Sequence, residues 1–225
     1  MIKHHPKFEL IQSFVNGDLP ASLSAAIAIH ADMCPKCQQN ILQLTEQVAE
    51  TSFEVAFLDR FIVDETPSAE ELNFEDMLDK ITQSDEIFEP EVIQEKRVEF
   101  NEQSYVLPQA LNNMSLGKTA NIGKLSRTRV ELNEDEIHTS LLHIQPGGGV
   151  PEHTHKGFEL TLLLEGTFHD HNGEYVKGDF IMLDSSNTHH PISENGCLCY
   201  TVANDALHFT QGINKLLNPI GSFIY

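Results

Sequence analysis

The sequence predicts an α+β chain in two parts: a small helical bundle followed by an all-β sandwich or barrel. Two observations predict it. Up to about residue 85, apolar residues recur at the three-to-four spacing of amphipathic helices. From about residue 95 the pattern shortens to stretches such as HTSLLHI, ELTLLLEG, DFIMLD and CLCYTV, bounded by Gly, Pro, Asn and Asp. Short strands separated by regular turns read as a β-sandwich or barrel. The boundaries are a helical domain over 1–85, an acidic linker over 86–97, a β-domain over 98–210 and a tail over 211–225.

Four helices are expected. In the first, Leu10, Ile11, Phe14 and Val15 form the apolar stripe, Pro6 fits its first turn and Gly17 its C-terminal cap. The second runs from Pro20 to about Met33, with Leu23, Ile27 and Ala31 on its apolar side. Pro35 cannot sit inside a helix but fits a first turn, so a third helix starts there and buries Ile41, Leu44 and Val48. In SAEELNFEDMLDKI, Ser68 followed by Glu71 has capping-box spacing. A fourth helix over 69–83 then carries Phe74, Met77, Leu78 and Ile81 as a stripe, either core or a docking face. In the β-part, Asn172-Gly173 is a two-residue hairpin signal.

The chain has 225 residues and a formal net charge of −20. Glu46 to Glu102 holds 18 acids against 4 bases, so −14 of the total falls in one quarter of the chain. Such a field repels phosphate backbones, which excludes direct nucleic-acid binding, and it attracts a basic protein. No apolar run approaches the roughly 20 residues of a membrane span, and MIKHHPKFELIQ lacks the apolar core of a secretory signal. The expected location is the cytoplasm.

The four cysteines fall in two close pairs, which in a reducing compartment suggests metal or redox chemistry more than structural disulfides. Cys197 and Cys199, two apart on a strand, share a face and read most simply as small strand hydrophobes. The other pair lies in HADMCPKC, residues 30–37: His30 in the last turn of the second helix, Cys34 at the corner, Cys37 in the first turn of the third. Structural zinc sites are closed by four protein donors. The fourth candidate is His5, with His4 the alternative. This arrangement resembles the zinc-binding anti-sigma domain, in which a helical bundle grips an extracytoplasmic-function sigma factor. The matching residues are His5, His30, Cys34 and Cys37, and the resemblance covers 1–85.

A second cluster lies in GGGVPEHTHKGFELTLLLEG. Gly147, His153, His155, Glu159 and Gly166 stand at the spacing of the first cupin motif, without a gap. On a strand His153 and His155 share one face, and Glu159 comes from the next strand. The second cupin motif is weaker: Gly178-Asp179 opens it and His189 holds the expected place, with His190 the neighbouring alternative. Asp184, Ser186 and Ser193 replace its usual proline, glycine and asparagine. His138, His143, His169 and His171 match no motif position. The resemblance implies a cupin, a double-stranded β-helix or jelly roll, holding zinc or another divalent transition metal on His153, His155, Glu159 and His189. Imidazole and carboxylate donors suit several such metals.

Taken together, the two halves resemble the ChrR family of anti-sigma factors. That resemblance implies a regulatory protein rather than an enzyme. Its zinc-stapled head binds and inhibits the sigma factor, and its cupin, also holding zinc, answers singlet oxygen or organic peroxide. Two late cysteines, here Cys197 and Cys199, are also similar to the family. Fold analogy adds a homodimer through the cupin. The alternative is a metal-dependent, dioxygenase-like cupin enzyme with a helical docking domain.

Overall fold

The computed structural model describes residues 1–62, 74–83, 95–205 and 208–209. The helices are α1 (Phe8–Asn16), α2 (Ala21–Met33), α3 (Pro35–Ile62) and α4 (Phe74–Thr82). The strands are β1 (Arg97–Phe100), β2 (Gln103–Val106), β3 (Ser115–Ile122), β4 (Leu125–Glu131), β5 (His138–Ile144), β6 (Gly148–Gly149) and β7 (His153–Thr154). They continue with β8 (Glu159–Asp170), β9 (Gly173–Val176), β10 (Phe180–Leu183), β11 (Thr188–His189), β12 (Ile192–Ser193), β13 (Cys197–Ala203) and β14 (His208–Phe209). By packing, the chain divides into two compact units: Met1–Thr45 together with the β-region from Glu95 onward, and Glu46–Gln94.

In the first unit the main sheet runs β3-β4-β5-β13-β8-β12-β6, and β9 and β10 also pair with β8. A three-stranded sheet runs β11-β7-β14, and β1 pairs with β2. This is the curled sheet of a cupin. The twelve-residue β8 organises it, pairing with β13 along one edge while β10 and then β9 follow the other. Its residues alternate between two cores, as the strand period requires. Leu160, Leu162 and Leu164 pack on the outer face, and Leu163 inside the curl.

Helix α2 covers the outer face. Leu23, Ala25, Ala26, Ile27 and Ile29 pack in one core with Leu141, Leu160, Leu162, Leu198, Tyr200 and Val202. The segment ASLSAAIAIHADM has no continuous polar side, and a helix apolar all round has to be covered all round. Ile27 and Ile29, essentially inaccessible, each contribute roughly 1.5–3 kcal/mol of burial. At the N-terminus of α2 the Ser22 N–H donates to Glu134 Oε1 at 3.1 Å, a carboxylate placed at the positive end of the helix dipole. One strand further in, the Tyr200 hydroxyl donates to the Ser22 carbonyl at 3.0 Å.

Several local expectations shift. Helix α1 starts at Phe8, so Pro6 precedes the helix instead of lying in its first turn. Gly17, at φ 77, does cap it. On α3, Ile41 and Leu44 are half-buried, whereas Val48 is exposed. The Ser68–Glu71 capping box lies outside the described residues, and α4 is described from Phe74. Leu78 and Ile81 on it are 56% and 65% exposed, so that part of the stripe is not core. The hairpin near Asn172-Gly173 turns one residue earlier, because Asp170 pairs with Gly173. There the Asn172 N–H donates to Asp170 Oδ1 at 2.7 Å, an Asx-type turn that sets the reversal at His171-Asn172.

Candidate metal centres

The two groups of side chains expected from the sequence are each brought together. His5, His30, Cys34 and Cys37 place one donor atom apiece within 4.8 Å of one another. His30 Nε2 lies 3.3 Å from Cys37 Sγ, and His5 Nδ1 lies 3.4 Å from Cys34 Sγ and 3.5 Å from Cys37 Sγ. Bond lengths of about 2.0 Å to nitrogen and 2.3 Å to sulfur make the edge of a tetrahedral N–S site about 3.5 Å. The donor set therefore fits a tetrahedral ion. The thiols are not bonded to each other. His4, the alternative to His5, points elsewhere: its ring packs on Tyr175 at 4.9 Å between centroids.

Local structure explains the convergence. Helix α2 ends at Met33, its Cys34 cap turns extended, and Pro35 starts α3, so the last turn of one helix meets the first turn of the next. The Met1–Lys7 segment is laid across this corner by the β9–β10 turn. Asp179, wholly buried, accepts the N–H groups of Lys3 (2.7 Å), His4 (3.0 Å) and Val176 (2.9 Å). The Phe180 N–H donates to the His4 carbonyl at 3.1 Å. Gly178, at φ 91, leaves room for Ile2, into which any Cβ there would run. Burial pushes the His30 imidazole below its usual range, and burial together with Lys36 does the same to His5. Burial beside Cys34 pushes the Cys37 thiol up to about 12.

The second cluster joins His153 on β7, His155 just beyond it, Glu159 at the start of β8 and His189 on β11, all buried. His153 and His189 face each other across the β7–β11 pair, with their Nε2 atoms 2.8 Å apart. Glu159 Oε2 lies 2.7 Å from His155 Nε2, 3.2 Å from His189 Nε2 and 4.0 Å from His153 Nε2. His153 Nδ1 donates to the Pro151 carbonyl at 2.8 Å, which puts the ring's lone pair on Nε2, the nitrogen turned into the cluster. Burial would raise the Glu159 carboxyl, but hydrogen bonds from His155 and His189 hold it well below the usual carboxylate range. Burial brings His153 down to about 3. Asp170 Oδ2 stands 3.9 Å from His189 Nδ1 and also bonds Tyr175, whose ring carries His4. His190, the alternative to His189, is exposed.

Beside this cluster is a cavity of about 30 Å³, lined by Leu142, Ile144, Val150, Phe168 and Cys199 among others. That is room for about two waters or one diatomic molecule. Cys197 and Cys199 are buried free thiols of the same inner core. Of the histidines outside the motifs, His143 is buried, stacked on Phe100 and 3.1 Å from the Tyr105 hydroxyl. Sequence reasoning missed the part Asp179 plays in seating the amino-terminal segment. It also passed over Arg127 and Arg129, whose alternation in LSRTRVE was the available signal.

A helical head and a cupin, each carrying a four-donor cluster able to hold a metal ion, define a two-centre cupin protein. Residues 101–206 match the model of the ChrR cupin-like domain family. Over 97% of its length, and 97% of the relative's, it is 24% identical to the anti-sigma-E factor ChrR of Cereibacter sphaeroides. It also matches a chain in the crystal structure of Rhodobacter sphaeroides SigE in complex with the anti-sigma ChrR. There the TM-score is 0.60 and the identity 23%, with 90% of this chain and 99% of that chain covered. Among the described residues no helix is long and apolar enough to cross a membrane.

Proposed function

We propose that the chain is an anti-sigma factor, a regulatory protein and not an enzyme. Its helical residues 1–85 hold an extracytoplasmic-function sigma factor, and the cupin, residues 98–210, releases it on a singlet-oxygen or peroxide type of signal. The observation that carries the reading is the similarity to an anti-sigma factor along 97% of both chains, with a four-donor cluster in each half.

In the head, His5, His30, Cys34 and Cys37 would hold zinc, which supplies a structural cross-link. Metal binding of this kind contributes about 10–16 kcal/mol to folding in small zinc domains. Here it would fix the directions of α2 and α3 and with them the apolar positions that meet the partner. The run of acids from Glu46 to Glu102 would steer a basic sigma factor in solution. In the cupin, His153, His155, Glu159 and His189 would hold zinc or another divalent transition metal. The neighbouring cavity of about 30 Å³ favours a sensor of small oxidants over an enzyme, because an organic substrate needs roughly ten times that volume.

The test is size exclusion of the purified chain with an extracytoplasmic-function sigma factor from its own cell, before and after exposure to the oxidant. Co-elution that Cys37→Ala abolishes together with one equivalent of zinc supports the reading. Absence of co-elution, with metal-dependent turnover of a small substrate, would replace it with a cupin enzyme.

A further inference from the structure

The inner face of the cupin carries two arginines to which nothing above assigns a role. Arg127 and Arg129 alternate along β4, so both project to one side of the sheet. Register fixes which side. Arg127 stands opposite Leu142 and Arg129 opposite Ser140. Those pair with Cys199 and Thr201, and Thr201 pairs in turn with Thr161. Residues directly opposite in an antiparallel sheet share a face. Leu142, Cys199 and Thr161 all line the cavity of the second metal centre. The arginines therefore look into the same concavity, two strand spacings, about 10 Å, from the strand that carries Cys199.

Both side chains are half-buried, and part of each guanidinium lacks a partner. Nε and Nη1 of Arg127 and Nη1 of Arg129 are buried and have no hydrogen-bond partner among the described residues. An arginine that merely lays its stem over apolar surface keeps its nitrogens in water, and these three are out of it. Burial lowers both guanidinium pKa values, and for Arg127 the neighbouring charge is the other arginine, not an acid. His138, on the same face of β5, is held low by burial and then by both arginines. Buried charges are ordinarily paired. The chain has a net charge of −20, yet among the described residues no acid stands against this pair.

We infer that Arg127 and Arg129 form a binding site for a small oxyanion, a carboxylate or a phosphate, on the concave face of the cupin beside the second metal centre. Two guanidinium forks match the planar or tetrahedral oxygens of such a ligand, which lysines would not do. Ser140 and Thr201 stand in the register row of Arg129 on the same face, where the Thr201 hydroxyl donates to the Ser140 carbonyl at 3.3 Å. The inference stands independently of the sigma-factor reading.

The experiment is calorimetric melting of the metal-loaded full chain in inorganic phosphate, in succinate and in sodium chloride, all at one ionic strength. At ten times the dissociation constant, the bound anion should raise Tm by about 4 °C over chloride. Arg127→Gln and Arg129→Gln should each remove at least nine-tenths of that rise. Both should keep two metals per chain and an anion-free Tm no lower than that of the natural chain, because each removes a half-buried cation whose enclosed nitrogens have no partner among the described residues. A rise in phosphate alone assigns a phosphate-bearing ligand, and a rise in succinate alone a carboxylate. The site is refuted if neither anion differs from chloride, or if the Gln variants respond like the natural chain. It is refuted equally if those variants lose metal or melt lower without any anion, since the arginines would then be structural.

Discussion

His30 Nδ1 lies 2.7 Å from the carbonyl oxygen of Gly178, 148 residues further along the chain. A carbonyl only accepts, so the imidazole carries its proton on Nδ1 and turns Nε2 toward Cys37. The cupin thus sets the tautomer of a head donor, the usual task of a carbonyl behind a metal-binding histidine. Asp179, next in the chain, anchors Lys3 and His4 and so holds His5 in place.

Asp179→Ala should therefore act on the head centre and spare the cupin centre. It leaves three backbone donors without their carboxylate, at a cost of about 1–3 kcal/mol for each one kept from water. Head metal affinity should fall about 10–100-fold, while His153, His155, Glu159 and His189 keep their ion. Competition with a chelating dye, with stoichiometry followed for both centres, measures this. Equal loss at both, or none at either, contradicts the role given to Asp179.

Tyr200→Phe isolates the other tie between α2 and the sheet. The side chain is fully buried, and its hydroxyl donates to the Ser22 carbonyl at 3.0 Å and also meets the Thr139 hydroxyl. Removing it keeps the ring in its packing and should cost about 1 kcal/mol, a fall in Tm of about 2–4 °C for a chain of this size. Scanning calorimetry on the metal-loaded protein reads it directly. An unchanged Tm would mean that the hydroxyl finds an equivalent partner.

Much of this architecture was legible in the sequence because it is written in local periods. HTSLLHI became β5, and CLCYTV lies in β13. HADMCPKC places its three donors at a helix–helix corner because Pro35 has to begin a helix. What was illegible depends on partners remote in sequence. The strand period puts Arg127 and Arg129 on one side, but only the register from β4 through β5 to β13 says that this side is the inside of the curl. Gly178-Asp179 read as the opening of a motif, and its hold on the amino terminus involves residues 175 and 176 positions away. The composition of α2 forecast burial without saying that a sheet would supply the cover.

Acid should destabilise the metal-free protein through its buried and half-buried histidines. Their folded-state pKa values are depressed, to about 3 for His153 and below the ordinary value for His5, His30 and His143. The folded state thus binds fewer protons than the unfolded one. The stability contributed is present above about pH 6.5 and is lost as pH falls from there toward 3. Chelator-treated protein should show Tm falling steadily from pH 7 to pH 4, the reverse of a Tm governed by raised pKa values. A flat Tm over that range would mean these imidazoles do not resist protonation.

The exposed face of α4 gives the last prediction. Leu78 and Ile81 lie three residues apart on one side of that helix, 56% and 65% exposed, with Asp79 and Lys80 between them. Polar replacements at such sites change stability by within about 0.5 kcal/mol. Leu78→Asp and Ile81→Asp should therefore leave Tm and metal content unchanged. If these side chains enter the surface that grips the sigma factor, each should weaken the complex by about 10-fold or more, as buried apolar anchors do. Titration calorimetry or fluorescence anisotropy with the labelled sigma factor measures the change. Full affinity in the double variant would remove α4 from the interface and leave the grip to the rest of residues 1–85.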